Sequence, residues 1–306
     1  MNRMKRGWMA VLLLVSPSLS LAGQGNKIAA TVDGAPIYLR EVSQELSRVV
    51  GKRKLPKQVY QRLQKEMINR LVDKRLILQY LASKRMGASK QQIDAFVERL
   101  EKQLEAKKTN LKDFLKSKKL QPSDLRMSFA WQIGWTNFLN RFLTDGNLKK
   151  YFNDHSREFD GTKIRVAHIL LKAKRGDKKA RIAATKKLSG LRAQIVNKAV
   201  SFAQAARAHS QSPSAVKGGD IGLIGRYKPM PNEFSQVAFA LDLGEVSKPV
   251  ETAFGVHLIK CLEVKKGTKT WQDSRSQLNR AINNYLYKWT ANQQRPKSKI
   301  VITKSG

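Results

Sequence analysis

The stretch SPSAVKGGDIG, residues 212–222, places Gly218, Gly219 and Gly222 within five positions. Glycines at this density indicate backbone conformations that a Cβ atom would forbid. Three interpretations of this glycine turn are open at first: a cradle for phosphate, a plain hairpin, or the floor of a site that uses the nearby His168 and His257.

Two of the chemistries that the turn could serve are disfavoured by what surrounds it. The glycine spacing resembles a nucleotide loop, but no Gly-Lys-Ser/Thr ending and no downstream acidic ribose ligand accompany it. Ser212, His257 and Asp220 could form a hydrolase triad. However, no GxSxG nucleophile elbow surrounds Ser212.

The first 22 residues have the three parts of a secretory signal peptide. A basic start with Arg3, Lys5 and Arg6 precedes the apolar run of residues 8–15, and small residues lead to Ala22. The run is short of the roughly 20 apolar residues of a membrane span. We therefore expect a signal peptide at residues 1–22 and a soluble, periplasmic mature chain, with an uncleaved N-terminal anchor as the alternative.

Composition limits the classes of partner. The single cysteine, Cys261, excludes an intrachain disulfide and a Cys-rich zinc site, and we expect neither a metal nor a cofactor. The formal net charge of +36 favours anionic envelope polymers or a membrane surface. The cations are spread over nearly every segment and no nucleic-acid-binding motif is present, so specific nucleic-acid binding is not expected.

Between residues 39 and 143, apolar residues recur mostly three or four positions apart, which predicts a run of amphipathic helices. The last of them, residues 125–143, carries more aromatic surface than one small helical layer needs. Two interpretations of this surface stay open: the core of a helical domain, or an exposed surface that binds client polypeptides.

The pattern changes at Lys163, where KIRVAHILLK alternates and predicts a strand that carries His168. Three helices are expected next, over residues 177–197, 201–208 and 232–241. A closing strand over residues 255–264 carries His257. These elements predict a compact α+β unit.

Both ends of the mature chain have a short strand without a neighbour in sequence. One begins at Lys27 and the other covers residues 299–303. Because an isolated strand is not stable, we expect these two strands to pair. The helix over residues 270–293 would then complete the N-terminal helical domain, with the α+β unit inserted between.

Several spaced motifs of the α+β unit resemble a parvulin-type peptidyl-prolyl isomerase domain in the right order. They are VAHILLK with His168, SPSAVKGGDIG, PMPNEF with Met230 and Phe234, and KPVETAFGVHLIK with His257. The resemblance covers residues 163–265. The flanking signal peptide, the VDGAPI-to-helix opening and the C-terminal helix and strand resemble the exported SurA/PrsA group of folding factors.

This resemblance implies an α+β fold: a parvulin-like α+β domain inserted in a mostly helical SurA/PrsA-like chaperone domain. The implied segments are a signal peptide (1–22), an N-terminal helical chaperone domain (23–160), a parvulin-type domain (163–265), and a C-terminal helix and strand (268–306) that complete the N-terminal domain.

The resemblance also implies the site residues. The two neighbouring histidines of the family fall at His168 and His257, and its buttressing threonine falls at Thr252. Ser212 stands where the family has a Cys or Asp facing the substrate amide. The implied proline-pocket positions are Ile221, Ile224, Met230 and Phe234.

This sequence departs from the family pattern at three points. Ser212 is neutral and supplies no carboxylate or thiolate, although its hydroxyl can form hydrogen bonds. Ile224 stands where an aromatic residue is usual, and one extra residue precedes Met230. Outside the pattern, we expect His155 and His209 to be surface residues.

The function implied is that of a peptidyl-prolyl cis–trans isomerase and chaperone that assists the folding of exported periplasmic or outer-membrane proteins. Its partners would be unfolded or nascent exported polypeptides containing X-Pro bonds. The alternative is a holdase chaperone with a weakly active or inactive parvulin domain. A third possibility, a polyanion-binding envelope protein, predicts association that depends steeply on salt.

Overall fold

The structure is a computed structural model that describes residues 27–51 and 53–303. The predicted signal peptide lies outside the described residues. The described residues form two compact units: unit 1 comprises residues 27–142, without residue 52, and residues 282–303, and unit 2 comprises Leu143–Ala281.

The strands, in chain order, are β1 (Ile28–Val32), β2 (Ala35–Tyr38), β3 (Lys163–Lys172), β4 (Asp220–Gly225), β5 (Val250–Thr252), β6 (Gly255–Lys265) and β7 (Ile300–Ile302). The α-helices are α1 (Leu39–Val50), α2 (Lys57–Ser83), α3 (Lys90–Glu105), α4 (Leu111–Lys118), α5 (Pro122–Asn140), α6 (Asp145–Asp154), α7 (Ser156–Phe159), α8 (Lys178–Val196), α9 (Phe202–His209), α10 (Asn232–Ala240) and α11 (Arg275–Gln294). Short 3-10 turns cover Pro213–Lys217 and Arg295–Lys297. Among residues 27–51 and 53–303, none of these helices has the length and apolar character required to cross a membrane.

A small antiparallel sheet joins the two ends of the chain in unit 1. Its strand order is β2-β1-β7, and Thr31 lies opposite Val301. The predicted pairing of the first and last strands is therefore confirmed. The pairing gives β1 a hydrogen-bonding neighbour on each side, which neither end strand could supply alone.

The helices of unit 1 bury one face each. In α2, Ile68, Val72 and Leu76 follow one another four positions apart and are at most 2% exposed. The aromatic stripe of α5 also turns inward, since Trp135 and Phe138 are buried. Of the two interpretations of that stripe, the helical core is the one that these two residues support.

Unit 2 is built on a four-stranded antiparallel sheet of order β4-β3-β6-β5. Alternate residues of β3 and β6 point to opposite faces. Ile169 and Leu258 pack with α8 and α9 on one face, whereas Val166 and Ile259 pack with α10 on the other. The predicted α+β fold is confirmed.

Two features of unit 2 differ from the sequence-based expectation. Strands β4 and β5 were not expected, because β4 contains Gly222 and Gly225, which weaken a strand pattern, and β5 is three residues long. Helices α6 and α7 belong to unit 2, although the sequence pattern groups them with the helical domain that precedes it.

Candidate active site

Two histidines meet on the α10 face of the unit 2 sheet. In the β3–β6 ladder, His168 lies opposite Ile259, and Leu170 lies opposite His257. Because this register makes the two histidines diagonal neighbours on one face, their rings can touch. Their Nδ1 atoms are 3.3 Å apart, and the rings stack with centroids 5.4 Å apart.

The histidine pair continues into a hydroxyl at each end. His168 Nε2 lies 2.9 Å from Ser212 Oγ, and His257 Nε2 lies 2.8 Å from Thr252 Oγ1. The backbone N–H of Phe254 also donates to Thr252 Oγ1 over 3.1 Å. We call the four linked side chains, Ser212, His168, His257 and Thr252, the histidine row.

The histidine row is consistent with two neutral rings. Each neutral imidazole has one donor and one acceptor nitrogen. Protons can therefore point along the row from Ser212 toward Thr252, or in the reverse direction, without leaving a ring nitrogen unpaired. A continuous chain of this kind satisfies buried polar groups that would otherwise be costly.

Burial keeps both rings neutral. His168 is 5% exposed and His257 is 2% exposed. Burial lowers the pKa of His168 to about 4. Burial also lowers the pKa of His257 to about 4, with a smaller contribution from the nearby His168. Near neutral pH the site therefore carries no net charge on its two histidines.

The glycine turn brings Ser212 to the histidine pair. The 3-10 turn after Ser212 ends in Gly218 and Gly219, both with positive φ. The N–H of His168 donates to the carbonyl oxygen of Gly219 over 2.9 Å. A Cβ at residue 219 would lie 2.5 Å from the carbonyl oxygen of His168, so this close approach requires glycine.

The predicted proline-pocket residues lie at different depths. Phe234 is fully buried and meets the rings of His168 and His257 edge-on, with centroids 5.6 and 5.4 Å away. Ile221 and Met230 are half-buried and pack against the same core cluster. Ile224 is 2% exposed and lies within that cluster, behind the surface.

One contributor to the site was missed by the sequence analysis. Arg181 is 8% exposed, and its guanidinium donates to the carbonyl oxygens of Ala173, Lys174 and Thr252 at 3.2, 3.1 and 2.8 Å. It also pairs with Glu251 at 2.9 Å. Arg181 thereby holds the backbone of the threonine that contacts His257. No local pattern marks it, because Glu251 and Thr252 lie 70 and 71 residues further along the chain.

The hydrolase alternative does not match the geometry. Asp220 pairs with Arg165, with the shortest contact at 2.6 Å, and accepts a hydrogen bond from the N–H of Gly222. The hydrogen bond from Arg165 lowers the pKa of Asp220. Ser212 bonds to His168, not to His257. The three residues of the hypothetical triad therefore do not form one relay.

Family models match two parts of the chain. The PPIC-type PPIASE domain matches residues 168–263. The SurA-like N-terminal domain matches residues 1–138. The first match begins at His168 and includes the remainder of the histidine row.

Individual relatives match the chain over different lengths. The foldase protein PrsA of Geobacillus kaustophilus is 34% identical over 125 residues, which are 40% of this chain and 38% of that protein. The peptidyl-prolyl cis-trans isomerase Pin1 of Digitalis lanata is 36% identical over 112 residues, 32% of this chain and 94% of that protein. The foldase protein PrsA 4 of Bacillus cereus is 25% identical over 283 residues, 92% of this chain and 86% of that protein.

Proposed function

Because the chain belongs to the parvulin-type peptidyl-prolyl isomerase family, we propose that it catalyses the cis–trans isomerisation of X-Pro bonds in exported polypeptides. The observation that carries this proposal is the histidine row. Its four members come from three separate parts of unit 2, and they are joined by hydrogen bonds of 2.8–3.3 Å.

The chemistry of this reaction suits a neutral site. Rotation about an amide bond faces a barrier of about 18–20 kcal/mol, which arises from resonance between the nitrogen and the carbonyl group. The rotation breaks no covalent bond and transfers no proton, so it needs no charged acid or base. A site that fits the twisted amide better than either planar form lowers the barrier.

We assign the roles within the row by position. His168 and His257 form the rigid centre, and Thr252 fixes the orientation of His257. Ser212 is half-buried at the other end of the row. Its hydroxyl contacts the prolyl amide in this proposal, in the place of the family's Cys or Asp.

The apolar residues around the row would hold the proline ring. Ile221 and Met230, which are half-buried, form the walls of the pocket in this proposal. Phe234 and Ile224 are buried and support those walls from behind. A pocket with an apolar wall beside neutral hydrogen-bonding groups matches the chemistry of a proline ring and its amide.

We propose a chaperone role for the helical part of the chain. The match of the SurA-like N-terminal domain to residues 1–138 supports it. In this proposal residues 1–22 direct export to the periplasm, residues 23–160 and 268–306 form the chaperone domain, and residues 163–265 form the isomerase domain. Unfolded exported polypeptides are the clients, and the net charge of +36 favours contact with anionic envelope polymers or a membrane surface.

The alternative, a holdase chaperone with a weakly active or inactive parvulin domain, is not favoured. Every ring nitrogen of the two buried histidines has a hydrogen-bond partner, as an intact site requires. The PPIC-type match also extends across the site. The replacement of the family's Cys or Asp by Ser212 changes one end of the row and keeps the hydrogen bond to His168.

The test is prolyl isomerisation of an Ala-X-Pro-Phe tetrapeptide, measured by NMR exchange spectroscopy on the wild type, Ser212→Asp and Ser212→Cys. We expect the wild type to accelerate exchange, and both substitutions to change the rate because they alter the group nearest the amide. If the wild type gives no acceleration while it still suppresses aggregation of an unfolded protein, the isomerase proposal is overturned.

A further inference from the structure

A cavity in unit 1 has the mixed chemistry of a ligand site. It has a volume of ≈ 940 Å³ and lies among helices α1 to α5. Leu71, Leu104 and Leu125 are buried residues of its lining, and the rings of Phe114 and Phe129 line it too. A volume of this size is ample for a small organic molecule, for which about 300–1,000 Å³ is usual.

The acidic residues of the cavity are already engaged. Glu41, Glu45 and Asp124 each form an ion pair with an arginine, at 3.8, 2.9 and 3.2 Å. Glu41 and Asp124 also accept hydrogen bonds from the backbone N–H groups of Tyr38 and Gln121. These carboxylates are therefore held by partners of their own.

Lys74 is half-buried in this lining, whereas Lys107 is exposed and Lys118 lies over the ring of Phe114. In the part of the chain that the structure describes, no carboxylate lies within ion-pair distance of its ammonium group. Its Nζ lies 5.4 Å from the ring centroid of Trp131 instead. Burial lowers the pKa of Lys74, and Arg48 and Arg70 add to that effect, while Glu45 and Glu41 oppose it. A half-buried cation of this kind indicates an anionic ligand, because an unpaired buried charge is costly.

The walls of the cavity indicate the chemical class of the ligand beyond its charged group. They are helices, whose backbone N–H and C=O groups bond within each helix. They therefore offer no edge to an extended peptide, which needs a series of backbone partners. An apolar body with one anionic head matches the leucine and phenylalanine side chains of the cavity and the half-buried ammonium of Lys74.

We infer that this cavity binds an amphiphilic carboxylate of the fatty-acid class, with its head group on Lys74 and its chain along the leucines and phenylalanines. The site lies within unit 1, so this inference is independent of the isomerase activity proposed for unit 2. The carboxylate would complete an ion pair in a partly desolvated place, where such a pair is stronger than at the surface.

The experiment is isothermal titration calorimetry of the full chain with sodium dodecanoate below its micelle concentration. Dodecanol and dodecyltrimethylammonium serve as ligand controls, because they keep the chain and remove or reverse the charge. Lys74→Met removes the ammonium and keeps an unbranched side chain of similar length. Lys65→Met, an exposed position on the same helix, is the matched control.

We expect saturable binding of dodecanoate that Lys65→Met retains and Lys74→Met weakens about tenfold or more, which is the usual worth of a hydrogen bond to a charged group. We also expect a dodecanoate analogue with a photoreactive diazirine to label peptides from α2 and α5. Equal binding of dodecanol, equal binding by Lys74→Met, or labelling confined to unit 2 would overturn the inference. Displacement of dodecanoate by an unfolded polypeptide but not by palmitate would overturn it in favour of a client site.

Discussion

The histidine row of unit 2 and the Lys74 cavity of unit 1 are both partly buried polar regions, but they satisfy their polar groups differently. In the row, each ring nitrogen has a partner within the same chain, and both rings are neutral. In the cavity, the Lys74 ammonium has no carboxylate partner among the described residues. The row is complete without a ligand, whereas the cavity has a charge that a ligand can match.

This difference suits the two functions that we propose for these regions. Twisting a prolyl amide separates no ions, so a self-contained neutral row can act on it as a fixed surface. Holding an anion requires an uncompensated cation. The comparison makes opposite predictions for the two regions: changes to the row should destabilise the protein, and removal of the lysine should not.

The largest loss of stability is expected from a substitution in the glycine turn that positions the histidine row. Gly219→Ala forces a Cβ to within 2.5 Å of the His168 carbonyl oxygen and strains a φ of +86°. We expect a loss of about 3–5 kcal/mol in unfolding free energy, from steric overlap and backbone strain together. Urea denaturation followed by circular dichroism measures it.

Gly222→Ala is the matched control for that change. Its φ is +76°, but an added Cβ meets nothing within 4 Å. We expect about 1–2 kcal/mol from the left-handed conformation alone. Equal losses in the two variants would contradict the role given to the close approach at His168.

Acidification should weaken unit 2 through the same histidines. The folded-state pKa of each is about 4, below the ordinary value of 6.5. Between these values the unfolded chain binds protons that the folded chain does not. The stability is therefore fully present above about pH 6.5 and falls as the pH drops toward 4.

We expect the two histidines to lower the free energy of unfolding by about 4 kcal/mol between about pH 7 and pH 5. The measurement is urea denaturation at a series of pH values. His257→Asn removes one titrating ring, so the part of the pH dependence due to the pair should fall by about half. An unchanged dependence in that variant would count against buried neutral histidines.

The fold and the core of the site follow from sequence patterns to a large degree. The alternation in KIRVAHILLK predicts the strand that carries His168, and the resemblance to the parvulin-type family implies His257, Thr252 and Ser212 as its companions. The role of Arg181 does not follow, because its hydrogen bonds go to backbone carbonyls brought close by folding. The lack of a carboxylate partner for Lys74 cannot be predicted from the sequence either, because it depends on which arginines pair with Glu41 and Glu45.

A smaller effect is expected from breaking the far end of the row. Thr252→Val keeps the shape of the side chain and removes the oxygen that lies 2.8 Å from His257 Nε2. The ring nitrogen and the N–H of Phe254 lose their partner, at a cost of about 1–3 kcal/mol. Urea denaturation gives the loss. The imidazole ¹⁵N shifts of His257 should also move, which a purely structural packing defect elsewhere would not cause.

The smallest effect, and the one of opposite sign, is expected at the cavity. Lys74→Met replaces a partly buried ammonium that lacks a carboxylate partner with an apolar side chain of similar length. We expect the unfolding free energy to stay the same or to rise by up to about 1 kcal/mol. A loss as large as that of Thr252→Val would remove the contrast between the two regions.

The most direct test of the histidine row as the catalytic centre is kcat/KM for isomerisation of an X-Pro tetrapeptide by the wild type, His168→Ala, His257→Ala and His209→Ala. We predict a fall of at least about tenfold for each of the first two substitutions, equivalent to about 1.4 kcal/mol in the barrier. His209 is exposed at the end of α9, so His209→Ala should match the wild type. Wild-type activity in folded His168→Ala or His257→Ala would contradict the account.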